Sequence, residues 1–376
     1  MRNFALETFF SRWEFTARYH MTASDVETLT VGALCELAGT DTAAVLDEQQ
    51  LGYIPTWGTE ALRETIATTY DELSAEDILC FAGAEEGIYA AMRVMLKAGD
   101  HAIVAVPNYQ AAETLPLDIC DVTGVELHAD SGWRLDLDEL RDALRPNTVL
   151  VSVNFPNNPT GAIMPPDDFA ALVALCRERG IYLFCDEVYR MLELDPGKRL
   201  PQAAEAYEKG LSLNVMSKSL GLPGLRIGWI ACRDRALLTR MERYKHYLSI
   251  CNSAVSERLA VLALGVRDTI LSRNRALMRT NLEKLDAFFA KYGELFDWRH
   301  PDGSCVAFPK YKGDVGVEDF CETLVNETGV LLLPSSVYRS ELMTTPADRF
   351  RIGFGRAGID EGLATFADYL DTHHGS

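Results

Sequence analysis

Basic charge is in short supply in this sequence. Its 376 residues include 36 lysines and arginines against 55 aspartates and glutamates, a formal net charge of −19 at pH 7. A field of that sign repels phosphate backbones and anionic lipid surfaces, which argues against nucleic acid or an acidic membrane as a partner. Long apolar runs are missing too. No stretch of about 18 apolar residues occurs, so no membrane-spanning helix is expected. The opening MRNFALETFFSRWEF carries acids inside its apolar stretch and lacks a small-residue cleavage site, so it does not read as a secretory signal. No two of the nine cysteines form a C-x-x-C pair, and their number is odd. Several sit in apolar, strand-like runs, as expected of reduced core cysteines in a cytoplasmic protein. The seven histidines show no zinc spacing and the pair His373 and His374 reads as solvated, so no metal is expected. Gly221, Gly224 and Gly228 do not fit the dinucleotide fingerprint. Low-complexity segments, repeats and Gly/Ser linkers are absent.

The composition that is present is ordinary for a globular chain, 48% apolar and 24% charged. At about 150 residues per domain the length fits two or three domains, or one two-lobed enzyme. Short apolar runs stand at Ile78–Phe81, Ala102–Val106, Val149–Val153, Ile181–Cys185 and Ile227–Ala231. They show little polar alternation, as expected of strands buried on both faces. Between two of them lies a well-punctuated helix. Pro165 and Pro166 open it, Phe169, Leu172, Val173 and Cys176 form one face, and Gly180 follows its end. Strand, helix, strand at this spacing predicts an α/β fold with a mostly parallel sheet. A helical stretch near 255–290, short strands near 303–308 and 349–354, and a closing helix from Asp360 predict a smaller α+β lobe. The N-terminal 40 residues are expected to complete it.

In parallel α/β sheets, ligands sit beyond the carboxyl ends of the strands. Polar or special residues stand there: Gly83-Ala84-Glu85 after Phe81, Asn108-Tyr109 after Val106, Asn154 to Gly161 after Val153, and Asp186 to Tyr189 after Cys185. Lys218 lies in the apolar, glycine-rich segment NVMSKSLGLPGLRIGW. An amine in such surroundings serves covalent Schiff-base chemistry once its pKa is depressed.

These motifs, in this order, resemble those of fold-type I pyridoxal-phosphate enzymes of the class I/II aminotransferase family. They are Tyr53-Ile-Pro-x-x-Gly58, Gly83-Ala-Glu-Glu86, Pro107-Asn-Tyr109, Asn154-Phe-Pro-Asn-Asn-Pro-Thr-Gly161, Asp186-Glu-Val-Tyr189, Ser217-Lys218 with Gly224-Leu-Arg226-x-Gly228, and Phe350-Arg351. The resemblance spans residues 53 to 351. It implies a large pyridoxal-phosphate-binding domain over 41–260, a small C-terminal domain over 261–376, and an N-terminal segment, 1–40, that joins the small domain. It implies that Lys218 holds the cofactor as a Schiff base and later moves a proton, and that Asp186 pairs with the pyridinium nitrogen. Tyr189 and Asn158 would hydrogen-bond the phenolic oxygen, and Tyr109 would stack on the ring. Gly83, Ala84, Glu85, Ser217 and Arg226 would hold the phosphate, with Tyr53 reaching it from the partner subunit of a homodimer. Arg351, assisted by Asn158, would clamp the substrate α-carboxylate. The implied reaction moves an amino group between an α-amino acid and a 2-oxo acid.

Three positions depart from the family pattern. Val215 stands where a phosphate-binding serine is usual, leaving Ser217 or Ser219 to compensate. The stretch around Thr22–Asp25 replaces a glycine-bearing substrate segment, and Pro334-Ser335 replaces a Pro-Gly pair. The shortened N-terminus and the V-M-S-K segment are similar to a branch that includes capreomycidine synthase-like enzymes, so a lyase, decarboxylase or cyclase on the same scaffold is the alternative. Specificity for a dicarboxylate would need a second basic group, for which Arg18, Arg190 and Arg339 are candidates.

Overall fold

A computed structural model of the chain describes residues 2–374. Its centre is an eight-stranded sheet: β1 (Ile78–Phe81), β2 (His101–Val106), β3 (Asp121–His128), β4 (Arg134–Leu135), β5 (Thr148–Asn154), β6 (Tyr182–Asp186), β7 (Gly210–Val215) and β8 (Gly228–Cys232). The spatial order is β1-β8-β7-β6-β5-β2-β3-β4. β7, β6, β5, β2 and β3 pair in parallel, while β8 runs against both its neighbours and β4 runs against β3. Every residue of β1, β2, β7 and β8 is buried, so helices cover both faces. The five apolar runs expected as strands lie in β1, β2, β5, β6 and β8. The mostly parallel sheet agrees with the sequence pattern.

β3, β4 and β7 are additional. β7 reads Gly-Leu-Ser-Leu-Asn-Val, an alternation that mimics a half-exposed strand. Its polar residues are buried and partnered instead. The Ser212 hydroxyl donates to Glu187 Oε1 at 2.9 Å and accepts from the Ala204 amide at 3.0 Å. Glu187, two residues before Tyr189, thus fastens β7 to the segment after β6.

Helix α1 (Ala5–Trp13) opens the chain, and α2 (Ala84–Met95) follows β1 directly. The predicted helix spans Pro166–Arg179 and ends on Gly180 in the left-handed region at φ +66°. The stretch near 255–290 forms two helices, Ala254–Gly265 and Arg267–Lys291, separated at Val266. In the smaller lobe, β9 (Val306–Ala307), β10 (Leu333–Pro334) and β11 (Phe350–Gly353) form an antiparallel sheet with β11 in the middle. The closing helix is Ile359–His374. His373 is not simply solvated: its ring stacks on Tyr369 at 4.3 Å and its Nδ1 lies 2.9 Å from the Tyr369 carbonyl. The side chain of His374 lies outside the described residues.

The N-terminal segment packs on this lobe. Tyr19–His20 pairs in parallel with Val330–Leu331, and the Gly353 amide donates to the Met21 carbonyl at 2.8 Å. A Cβ on Gly353 would collide with the Ala23 carbonyl, so glycine there permits the close approach. That pairing carries residues 22–25 to the carboxyl ends of the central strands. The nine cysteines are unpaired, seven of them buried. No helix among the described residues is long and apolar enough to cross a membrane.

Candidate active site

A cavity of about 400 Å³ opens where the carboxyl ends of β1, β2, β5, β6 and β7 meet the N-terminal segment. Lys218, Asp186, Tyr189, Asn158 and Tyr109 all border it. Each follows a strand by one to four residues or, like Asp186, ends one.

Lys218 Nζ donates to Ser24 Oγ at 3.0 Å and lies 5.9 Å from the Tyr189 ring centre. Burial pushes its ammonium pKa down, and the carboxylate of Asp25 partly opposes this. Asp186 is buried and accepts one hydrogen bond, from the Val188 amide at 3.2 Å. Burial pushes its pKa up to about 6, against the pull of Lys218 and that amide. A buried carboxylate with so little support calls for a cationic partner. Tyr189 donates to the Ser24 carbonyl at 3.1 Å.

The anion-binding geometry is built from backbone. Gly83 caps α2 at φ +98°, a conformation that costs other residues strain. The first amides of a 12-residue helix therefore face the cavity with the positive end of its dipole. A Cβ on Gly83 would collide with the Arg226 guanidinium, and a Cβ on Gly228 would lie 2.7 Å from the Gly83 carbonyl carbon. Two glycines thus let Arg226 and the helix start close around one space. Arg226 itself sits at φ +53° and borders the cavity with Ser217. Ser219 borders a separate cavity beside Trp229 and Leu220, so of the two serines only Ser217 faces this one.

Arg351 is fully buried and has no acidic partner among the described residues. Its Nη1 donates to Asn158 Oδ1 at 3.2 Å and to the Tyr338 hydroxyl at 2.6 Å. Nη2 donates to the Thr22 carbonyl at 2.7 Å, and Nε is shared at 3.2 Å between that carbonyl and the Thr22 hydroxyl. A buried guanidinium held only by neutral acceptors is primed for a carboxylate.

A family model described as aminotransferase class I and II matches residues 24–370. The chain belongs to this family. It is 30% identical to the capreomycidine synthase of Streptomyces vinaceus, over 98% of this chain and 94% of that protein. Its fold is similar to that of a pyridoxal-phosphate-dependent aminotransferase from Streptococcus suis, with TM-score 0.92 and 30% identity over 99% and 98% of the two chains. It is also similar to a pyridoxal-phosphate-dependent cyclase, with TM-score 0.90 and 26% identity over the same shares. This aminotransferase-family chain is therefore a pyridoxal-phosphate enzyme, and its fold is the fold-type I arrangement of a large α/β lobe and a smaller α+β lobe.

The residues present fit that cofactor. The under-supported Asp186 suits a ring nitrogen that carries a proton, and the cradle of Gly83, Gly228 and Arg226 suits a phosphate. Sequence reasoning missed several neighbours. Tyr338 and Ser24 touch the very groups it named, and Arg356 borders the cavity in a bidentate pair with Asp25. The one signal for Arg356 was a second arginine just beyond a strand that already carries Arg351. Glu7, Phe10 and Glu14 on or just after α1, together with His20, also line the cavity. Arg18, Arg190 and Arg339 do not border it. Arg18 lies over Tyr19, Arg190 donates to the Leu200 carbonyl and Arg339 is exposed. Tyr53 is 90% exposed and lies away from its own chain's cavity.

Proposed function

We propose that this enzyme moves the amino group of an α-amino acid to a 2-oxo acid, with Lys218 as the residue that holds the cofactor. The observation that carries the reading is Arg351, a fully buried arginine without an acidic partner, linked through Asn158 to the cavity that holds Lys218. When bound, pyridoxal phosphate supplies the electron sink that makes the substrate α-proton labile. Asp186 keeps the ring nitrogen positive. Arg351 and Asn158 orient the α-carboxylate. Arg226, Ser217, the Gly83–Glu85 amides and, from a partner subunit, Tyr53 hold the phosphate. Lys218, whose ammonium pKa is lowered by burial, takes the proton from the α-carbon. Tyr189 and Tyr109 fix the plane of the ring.

The exposure of Tyr53 supports a homodimer in which each subunit completes the other's site. Leu51, Tyr247 and Ile250 are likewise exposed, and the Lys245 ammonium holds the Thr56 carbonyl of the same loop at 2.9 Å. The contacts of Tyr19–His20 and Met21 support the division into 1–40 with 261–376 against 41–260. Nine unpaired cysteines support a cytoplasmic enzyme.

The test is a half-reaction. The loaded enzyme, given single amino acids without an acceptor, should convert its cofactor to the amine form, as read by visible absorption. Protein that takes up no pyridoxal phosphate overturns the reading. Similarity to a capreomycidine synthase and a cyclase supports a second reading, elimination or cyclisation at the same residues. Product release with the cofactor still in its aldehyde form decides for it.

A further inference from the structure

A buried lysine remains outside the proposed chemistry. Lys245 ends the helix Arg235–Lys245 and is fully buried. Its ammonium has three N–H groups. They meet the Thr56 carbonyl at 2.9 Å, the Cys80 carbonyl at 2.8 Å and Asn252 Oδ1 at 3.2 Å. The Phe81 ring centre lies 5.7 Å away. All three acceptors are neutral, and no carboxylate pairs with the ammonium directly among the described residues. Asn252 stands between it and one. The Asn252 Nδ2 donates to Glu257 Oε1 at 2.8 Å, and Glu257 Oε2 accepts from the Thr59 amide at 2.8 Å. Asn252 and Glu257 are buried as well.

A buried charge held by neutral acceptors is costly. Burial pushes the Lys245 pKa down, and the charge of Glu86 opposes this most. A methionine of similar length would fill the same space without that cost. What the ammonium adds is a junction of three segments: the loop before Gly58, the end of β1, and the turn that carries Asn252. Two of these have other support. β1 pairs with β8 along Ile78–Phe81, and Glu86 holds the Ala82 and Ser249 amides at 2.6 and 3.0 Å. The loop belongs to no helix or strand from Leu51 to Gly58. It touches β1 where the Cys80 amide donates to the Trp57 carbonyl at 3.0 Å. Gly58, at φ +95°, permits that approach, since a Cβ there would lie 2.8 Å from Cys80 Sγ. Thr56 stands three residues after Tyr53, so the ammonium fixes the loop close to that exposed ring.

We propose that Lys245 is a positioning residue: from the buried side it sets the loop on which Tyr53 is lent to the cofactor phosphate of the partner subunit. Lys245 does not border the cavity of its own chain and acts only through Tyr53. Its effect therefore belongs to the site of the other subunit. This inference rests on the proposed homodimer in which Tyr53 reaches across.

Hybrid dimers test it, isolated by a different affinity tag on each chain, with cofactor affinity read from the visible absorption of the Schiff base. One chain carries Lys218→Ala and the other Tyr53→Ala, so a single site has Lys218 and also receives a Tyr53. Lys245→Met is then placed either on the chain that lends Tyr53 or on the chain that keeps Lys218. On the lending chain it should raise the cofactor dissociation constant at least about tenfold, and on the keeping chain by less than about twofold. Equal or greater loss on the keeping chain, as a general fault in the fold would give, overturns the inference and leaves the dimer standing. So does the absence of any loss on the lending chain. If the hybrid without Lys245→Met holds cofactor no better than the Tyr53→Ala protein alone, the lending of Tyr53 falls and this inference with it. Should the Lys245→Met protein not fold, Asn252→Ala, which cuts the link from Lys245 to Glu257, goes on each chain in turn and is read the same way.

Discussion

The guanidinium of Arg351 has five N–H groups, and four are engaged: one from Nε and one from Nη2 at Thr22, and both from Nη1 at Asn158 and Tyr338. Its worth to substrate binding follows from that isolation. Arg351→Ala should leave cofactor uptake intact and cost about 2–5 kcal/mol in kcat/KM for the amino acid, measured by steady-state kinetics. Asp186 gives a pH signature. Its native pKa, about 6, is above the value of about 3.9 for a free aspartate. The folded, cofactor-free protein then binds more protons than the unfolded chain between those values. This contribution to stability is complete below pH 4 and is lost as pH rises through 6. Melting of the cofactor-free protein should show a loss of up to about 3 kcal/mol across that window, and Asp186→Asn should flatten it. Lys218, Asp186, Asn158 and Tyr189 were legible in sequence because each belongs to a short motif tied to a strand end. Tyr338 and Ser24 were not. Their partners stand 180 and 194 residues away, and no local pattern encodes a meeting made by the packing of two lobes.

Among the elements, the buried strands were readable wherever the residues were apolar throughout. β7 escaped because Ser212 and Asn214 give it the alternation of a surface strand, and only tertiary partners reveal that both faces are covered. From sequence α1 reads only as part of an N-terminal segment, and its part in the cavity is visible only where Glu7 meets the Tyr109 hydroxyl. The start of α2 makes a different point, because its function depends on what is missing from neighbouring residues. Gly228→Ala would press a methyl group against the Gly83 carbonyl carbon at 2.7 Å and the Ala84 amide nitrogen at 2.8 Å. Overpacking of this kind costs about 1–3 kcal/mol. Dialysis against cofactor-free buffer should therefore strip the Gly228→Ala protein sooner than the unaltered enzyme, with little change in its circular dichroism.

For the molecule as a whole, the net charge of −19 argues against large anionic partners and yet misdescribes the site, whose wall carries Lys218 and Arg226 and which Arg351 adjoins through Asn158. A global field reports on the surface, and a cavity is ruled by its nearest charges. The proposed dimer can be checked by complementation. Lys218→Ala and Tyr53→Ala proteins should each be weak alone. Mixed and refolded together, they should regain activity, because one hybrid site combines Lys218 of one subunit with Tyr53 of the other. Failure to regain it, or a monomer in sedimentation, rules the arrangement out. The contacts of residues 22–25 have one more consequence. Thr22 holds Arg351, Ser24 holds Lys218 and Tyr189, and Asp25 holds Arg356. A carboxylate that needs two N–H groups of Arg351 finds one free and must evict a resident for the other. If Arg351 receives the α-carboxylate as proposed, residues 22–25 compete with substrate for it, and the apparent affinity is the intrinsic one scaled by the fraction of molecules whose tether has let go.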